Sequence, residues 1–365
     1  MNRLSVPRGG ETLIRAGFVL GSVVLGVPLL LRVLGFDAGP AMLALFRGSI
    51  GSSYAFTSGT LVRATPVILT GLSVAIAFRA GVFNIGSEGQ LLAGAAAATT
   101  VTLLPVVGAS HASPWMALVV GAIAGALWAG LAAVLRSRFR VLEVISTILL
   151  NFVALYLVGY LVRGPLQEPL HIYPQSPTIA AAARLPRILP SSRLHAGFLL
   201  ALAAASIAWW VTRYTAAGFR LRAVGSNADA ARIAGEIDVG RTTTRAFVVS
   251  GALAGLAGAI ELTGVTFALY ENISPGYGYT GIAVALLARL DPLGVVASGL
   301  LFGALEAGAS AMQRDAGVPS VVVSIIEAIV ILGLIVAWPL EMSTSTREGS
   351  SAPSADEADM GSVNP

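Results

Sequence analysis

Few polar residues of this chain stand inside apolar surroundings, and those few carry whatever chemistry it performs. Segment 78–90 inserts Asn84, Glu88 and Gln90, with Gly81, Gly86 and Gly89, between two strongly apolar stretches. Asn151 interrupts a third, and Glu261, Glu306 and Glu327 fall within or beside apolar runs of the second half. Such groups are costly in an apolar medium unless they face a cavity, water or a partner. Their chemistry is therefore hydrogen-bond recognition along a polar pathway, or hydrogen bonding between helices. For segment 78–90 a plain turn is the competing account, with Asn84 as its cap and Glu88 at a helix N-terminus, where a carboxylate is favoured.

Bond-making chemistry has no counterpart here. His111, His171 and His195 are scattered among loops, without the spacing of a metal site such as H-E-x-x-H, and no G-x-S-x-G elbow is present. No metal or cofactor is expected. The stretch Gly276-Tyr277-Gly278-Tyr279-Thr280-Gly281 formally matches G-x-G-x-x-G. A dinucleotide site needs a strand before it and a βαβ unit around it, whereas this one lies between apolar helices. Its glycines instead permit a tight break before a short helix.

The elements that must position these residues are membrane helices. Of 365 residues, 55% are hydrophobic and only 12% charged, and the mean hydropathy is +0.79. At about 20 apolar residues per span, this composition fills roughly ten spans, which excludes an ordinary globular enzyme. The runs read as helices at 16–35, 61–79, 86–106, 114–135, 144–162, 196–212, 246–264, 278–289, 292–312 and 318–338. The eighth is too short to cross alone and reads as a broken or half-membrane helix. The expected fold is thus an all-α, polytopic membrane helix bundle with about ten segments, some of them broken. Small-residue pairs Gly121/Gly125, Gly251/Gly255 and Gly299/Gly303 suit close helix packing in lipid.

Segments 83–89 and 271–278 each follow a long apolar run, and on the assigned topology they lie on opposite sides, as an inverted-topology repeat requires. Residues 1–15 are expected as a cytoplasmic N-terminal segment, 16–338 as the transmembrane domain and 339–365 as a disordered cytoplasmic tail. Both termini are placed inside because Arg is densest in the loops assigned to that side. The proline-rich loop 163–195, also Arg-bearing, is assigned outside as an irregular surface segment.

The chain has no Cys, and all 23 of its basic residues are Arg. Disulfides, thiolate metal sites and lipidation on Cys are excluded. Without Lys there is neither a P-loop nor Schiff-base chemistry. The net charge of +4 does not form a groove-sized patch with interleaved aromatics, so nucleic acid is not an expected partner.

The most informative inner loop is 218–235. Asn227 can cap a short helix, Asp229 suits its first turn, Ala230 and Ala231 favour it, and Gly235 can end it. A short exposed helix of small residues is a knob for another protein's groove; the plain alternative is a solvated connector, which Arg220 and Arg222 would equally suit.

Taken together, segment 71–90, the stretch Ile145-Ser146-Thr147-Ile148-Leu149-Leu150-Asn151-Phe152, loop 218–235 and segment 278–292 resemble the membrane permeases of bacterial ABC importers. The resemblance covers about residues 60–338 and is nearest to the nucleoside-type branch, related to simple-sugar and branched-chain amino-acid permeases. Ser87, Phe152 and Ala288-Arg289 depart from the usual pattern and leave the substrate open. The resemblance implies a multi-pass subunit of the cell membrane that imports a nucleoside, with a simple sugar as the alternative. Implied partners are a cytosolic ABC ATPase, a second and different permease chain, and an extracellular substrate-binding lipoprotein. It further implies that Asn84, Glu88, Gln90 and Asn151 line or support the translocation path, to which the intramembrane position adds Glu261 and Glu306. Arg220, Arg222, Gly225, Asn227, Ala230, Ala231 and Gly235 would form the loop that couples to the ATPase. The rival from another class is a secondary transporter in which Glu261 or Glu306 carries a proton.

Overall fold

In a computed structural model, residues 26–108, 110, 113–233 and 237–319 are described, together with 322, 325 and 328. Gly235, Glu327 and His111 lie outside the described residues, as do 1–15, 339–365 and almost all of the run 318–338. The chain divides into two units. One comprises Met1–Gly39 and Val318–Pro365, and its described part holds the short helix α1 (Val27–Val33). The other, Pro40–Gly317, contains every candidate site residue described below.

The described residues are helical and contain no strand. In order come α2 (Ala38–Ser49), α3 (Leu61–Arg79), α4 (Ser87–Thr102), α5 (Ser113–Phe139) and α6 (Glu143–Arg163). After a long loop follow α7 (Gly197–Tyr214), α8 (Ala216–Ser226), α9 (Ala228–Ile233), α10 (Val239–Glu261), α11 (Tyr277–Leu287) and α12 (Pro292–Ala316). A π-helical turn, Ala55–Thr60, leads into α3, and another, Leu262–Thr266, continues α10.

Helix length separates full crossings from shorter helices; the runs 16–35 and 318–338 lie partly or almost wholly outside the described residues. Among the described residues, 6 helices are long and apolar enough to cross a membrane: Ala55–Arg79, Ser113–Phe139, Glu143–Arg163, Gly197–Tyr214, Val239–Thr266 and Pro292–Ala316. The run at 86–106 forms only the 16-residue α4, because the polar stretch before it is drawn inward instead of extending the helix. The run at 278–289 is the 11-residue α11, roughly 16 Å long, half a bilayer core. The sequence marks it as a half-membrane helix, but α2 and the helix α8 ahead of the Asn227 cap carry no such mark.

Helix α3 is buried on nearly every side and α10 over its second half, while α5, α6 and α7 leave much of their apolar surface outward. The centre is built from small residues. Gly94 of α4, Gly121 and Gly125 of α5, and Gly251 and Gly255 of α10 meet backbone to backbone, so that a Cβ on Gly255 would overlap the Gly121 carbonyl oxygen. Gly299 and Gly303 likewise set α12 against Ile68 and Ala64 of α3. Without water to expel, helices in lipid gain cohesion by such close approach.

Helix starts follow the residue types that favour them. The Asp238 carboxylate accepts from Arg241 N at 2.8 Å to open α10. Asp291 accepts from Gly294 N at 3.0 Å to open α12, just ahead of Pro292. The proline-rich loop is irregular, and it is tied down. Ser176 N donates to Leu269 O, Ile179 N to Phe267 O and Leu185 N to Thr263 O, fastening it across the end of α10.

Candidate translocation site and coupling segment

The turn between α3 and α4 does not stay at the end of α3. Ser73, six residues inside Arg79, lies 3.0 Å from Ser87 and 2.9 Å from Ser250, oxygen to oxygen. Segment 80–86 therefore folds back roughly 9 Å alongside α3 before α4 begins. Its backbone groups need partners, and the chain supplies them.

Asn84 and Gln90 form a reciprocal amide pair: Asn84 Nδ2 donates to Gln90 Oε1 at 3.1 Å, and Gln90 Nε2 donates to Asn84 Oδ1 at 3.0 Å. Asn84 Nδ2 also donates to Ser250 Oγ at 2.8 Å, and Asn84 Oδ1 accepts from Gly86 N at 2.9 Å. Both residues are buried. The four hydrogen-bonding sites of the Asn84 amide are thereby all spent on protein partners.

Asn151 of α6 grips the same turn. Its Oδ1 accepts from Gly89 N at 2.8 Å, and its Nδ2 donates to Ile85 O at 2.9 Å and to the Tyr279 hydroxyl oxygen at 3.3 Å. Thr147, one turn earlier, accepts from Ile85 N at 3.3 Å.

Glu88, in the first turn of α4, reaches to the start of α11, where its Oε2 accepts from Gly278 N at 2.7 Å. The Ser274 hydroxyl is a second partner of the carboxylate. Ser274 Oγ in turn accepts from Gly276 N at 3.2 Å and Tyr277 N at 3.1 Å. One carboxylate thus serves the positive ends of two broken helices. Thr70, near the middle of α3, lies 2.9 Å from Tyr277 O, which sets the start of α11 at mid-depth.

The six pathway candidates divide into two groups. Asn84, Glu88, Gln90 and Asn151 come together at this junction. Glu261 and Glu306 do not join it. Arg63 Nε lies 3.9 Å from Glu306 Oε1, and Arg63 Nη2 donates to Ser310 at 3.1 Å. Glu261 is buried within electrostatic reach of Glu306, Arg63 and Arg193. Arg63 stands ten residues before Ser73, so this ionic group is roughly 15 Å further along α3. Sequence reading missed Arg63, Ser250 and Tyr279. Arg63 alone carried a signal, as a charge inside an apolar run that an intramembrane Glu would need.

The 218–235 loop forms α8 and α9. As its residue type foretells, Asn227 caps α9: its Oδ1 accepts from Asp229 N at 3.1 Å and Ala230 N at 2.9 Å. Ala231 is buried beneath, while Arg220, Arg222, Gly225, Asn227 and Ala230 are exposed. Phe219 and Ile233 present apolar side chains to the outside at 60% and 87% exposure, more than a solvated connector needs. Gly225 lies directly on the end of α3, where any Cβ would collide with the Arg79 carbonyl oxygen. Gly81, with φ +70°, faces it. The exposed segment is thus in contact with the turn that carries Asn84.

A family described as branched-chain amino acid transport system / permease component matches residues 56–338. The chain is 40% identical over 318 residues to the guanosine ABC transporter permease NupP of Bacillus subtilis, covering 85% of this chain and 90% of that one. It is also 40% identical over 329 residues to a glucose ABC transporter permease of Haloferax volcanii, covering 87% and 85%. A nucleoside ABC transporter permease of Lactococcus lactis, NupB, is 31% identical over 336 residues, covering 89% and 90%. No solved structure matches the chain. A multi-pass helical protein with broken helices meeting at a polar junction, an exposed α8–α9 segment and these relatives belongs to the branched-chain amino acid transport system permease family: it is the membrane subunit of an ABC transporter and no enzyme, with ATP hydrolysed by a partner ATPase.

Proposed function

We propose that this chain forms the translocation path of an ATP-driven importer of nucleosides. The observation that carries the reading is the Glu88 carboxylate held between two helix N-termini, with Gly278 N at 2.7 Å. Discontinuous membrane helices commonly aim their positive ends at an anionic substrate group. Here the protein's own carboxylate occupies that place, which disfavours an amino acid's carboxylate or a phosphate and favours a neutral polar solute. The guanosine and nucleoside relatives supply the solute class. The glucose relative supports a sugar as the second reading, since a sugar is also neutral.

In this reading Asn84 and Gln90 hold the broken helices, Glu88 and Asn151 support the wall of the path, and the ionic group of Arg63, Glu261 and Glu306 stands at its outer end. The termini are cytoplasmic. Segment α8–α9, including Arg220, Arg222, Gly225, Asn227, Ala230 and Ala231, docks on the ATPase, and a second permease chain completes the path. A substrate-binding protein delivers the solute.

The test is uptake of labelled guanosine by cells expressing the complete transporter, with unlabelled purine nucleosides, pyrimidine nucleosides and glucose as competitors. Nucleosides are expected to compete and glucose is not. Uptake should persist under an uncoupler while ATP is maintained. Competition by glucose alone overturns the nucleoside reading, and uptake driven by a proton gradient without ATP restores the secondary-transporter rival.

A further inference from the structure

We propose that Tyr279 is the residue of this chain that contacts the transported solute, its ring face stacking on the nucleobase and its hydroxyl donating a hydrogen bond to a polar edge of the same molecule. The inference rests on the nucleoside reading above and adds to it a specificity-determining residue.

At the junction, hydrogen-bond bookkeeping separates what is closed from what is open. Asn84, Gln90, Ser73, Ser87 and Ser250 are buried and bonded to one another. Glu88 is taken by Gly278 N and the Ser274 hydroxyl. Asn151 uses its oxygen on Gly89 N and its nitrogen on Ile85 O and Tyr279. All of these side chains are buried within the protein. Tyr279 is the half-exposed member, 45% accessible.

Its hydroxyl is oriented by its partner. Asn151 Nδ2 has only hydrogens to give, so the Tyr279 oxygen accepts at 3.3 Å and its own hydrogen points elsewhere, free to donate. Because the Asn151 amide is itself clamped at Gly89 and Ile85, the phenol is held in place before any solute arrives.

Depth argues for a wet path at this ring. Tyrosines that face lipid gather at the two membrane interfaces. Tyr279 is two residues from Tyr277, whose carbonyl meets Thr70 midway between Arg63 and Arg79 on α3. A half-exposed tyrosine beside that level, its hydroxyl hydrogen uncommitted, is costly against hydrocarbon and suited to a polar channel. Aromatic faces stack on any nucleobase with little regard to its hydrogen-bonding edge, which fits a permease whose loading partner does the finer selection.

The experiment uses the complete transporter in proteoliposomes, with its binding protein saturated with guanosine, and compares wild type with Tyr279→Phe and Tyr279→Leu. Uptake is counted per assembled complex. Tyr279→Leu is expected to reduce guanosine uptake about tenfold, the factor one lost stacking partner commands, whereas Tyr279→Phe stays within about threefold because the ring remains. Equal wild-type uptake by both variants overturns the proposal. So does a parallel loss in both accompanied by a low yield of assembled complex, since that assigns Tyr279 to folding through Asn151. A wild-type transporter that moves glucose and not guanosine defeats the nucleoside reading itself, an outcome read before any variant is tested.

Discussion

At the scale of single residues, polar groups in the membrane domain fall into those that complete each other and those left with capacity. Asn84 is of the first kind and Tyr279 is of the second. His195 is a third case. It lies at the end of the long loop with its ring packed against Gly264, and neither ring nitrogen has a partner among the described residues. Burial, aided by the positive charge of Arg193, pushes its pKa down to about 4. Above about pH 6.5 the ring is neutral whether the chain is folded or not. As pH falls below that, the unfolded chain binds a proton that the folded chain refuses until about pH 4, so stability declines through this window. The full loss is about 3 kcal/mol. Thermal unfolding in detergent at pH 7.5 and about pH 4.5 should show the decline, and His195→Gln should flatten it, with any slope that survives belonging to the carboxylates.

At the scale of elements, the two short helices and the two long ones beside them have different tasks. Helices α3 and α10 give the buried frame, and α4 and α11 end inside it. Cohesion of the frame depends on glycine at the crossings. Gly255→Val is expected to force α5 and α10 apart, costing about 1–3 kcal/mol or abolishing assembly. Gly130→Ala, on the same α5 but with nothing within 4 Å of the added methyl, should be neutral or stabilising by up to about 1 kcal/mol. Denaturation midpoints of the two variants in one detergent decide the matter, and equal midpoints would remove the crossing from the account.

At the scale of the whole molecule, energy must enter from outside the chain, since a protein without Lys has no P-loop of its own. The structure offers one continuous route inward. The exposed α8–α9 segment bears on Arg79 and Gly81 through Gly225, and the turn that follows carries Asn84, Ile85 and Gly86 to the gripping amide of Asn151. If this contact transmits the ATPase stroke, Gly225→Val will leave the ATPase bound, because Asn227, Ile233 and the rest of the knob are untouched, and will lower ATP-driven uptake about tenfold, a shift of roughly 1.4 kcal/mol in coupling. Co-purification of the ATPase together with uptake measures both halves. Unimpaired uptake would show that the stroke travels elsewhere.

The sequence by itself determined the all-helical membrane character, the position of the half-length helix, the cap at Asn227 and the small-residue crossings. Each depends on neighbours within one or two helical turns, or on hydropathy summed over a window. The run 86–106 reads as one continuous crossing but forms a 16-residue helix, because hydropathy does not register a polar stretch folding back beside its own helix. Only the tertiary structure decided which polar side chains are used up. Asn84 and Ser250 are 166 positions apart, and Glu88 and Gly278 are 190 apart. A residue's type states how many hydrogen bonds it can make; whether a partner already holds them depends on which distant helix lies alongside. The same holds for Tyr279, one aromatic among many along the chain, which is set apart only by the Asn151 amide against its hydroxyl and by its half-exposed side chain.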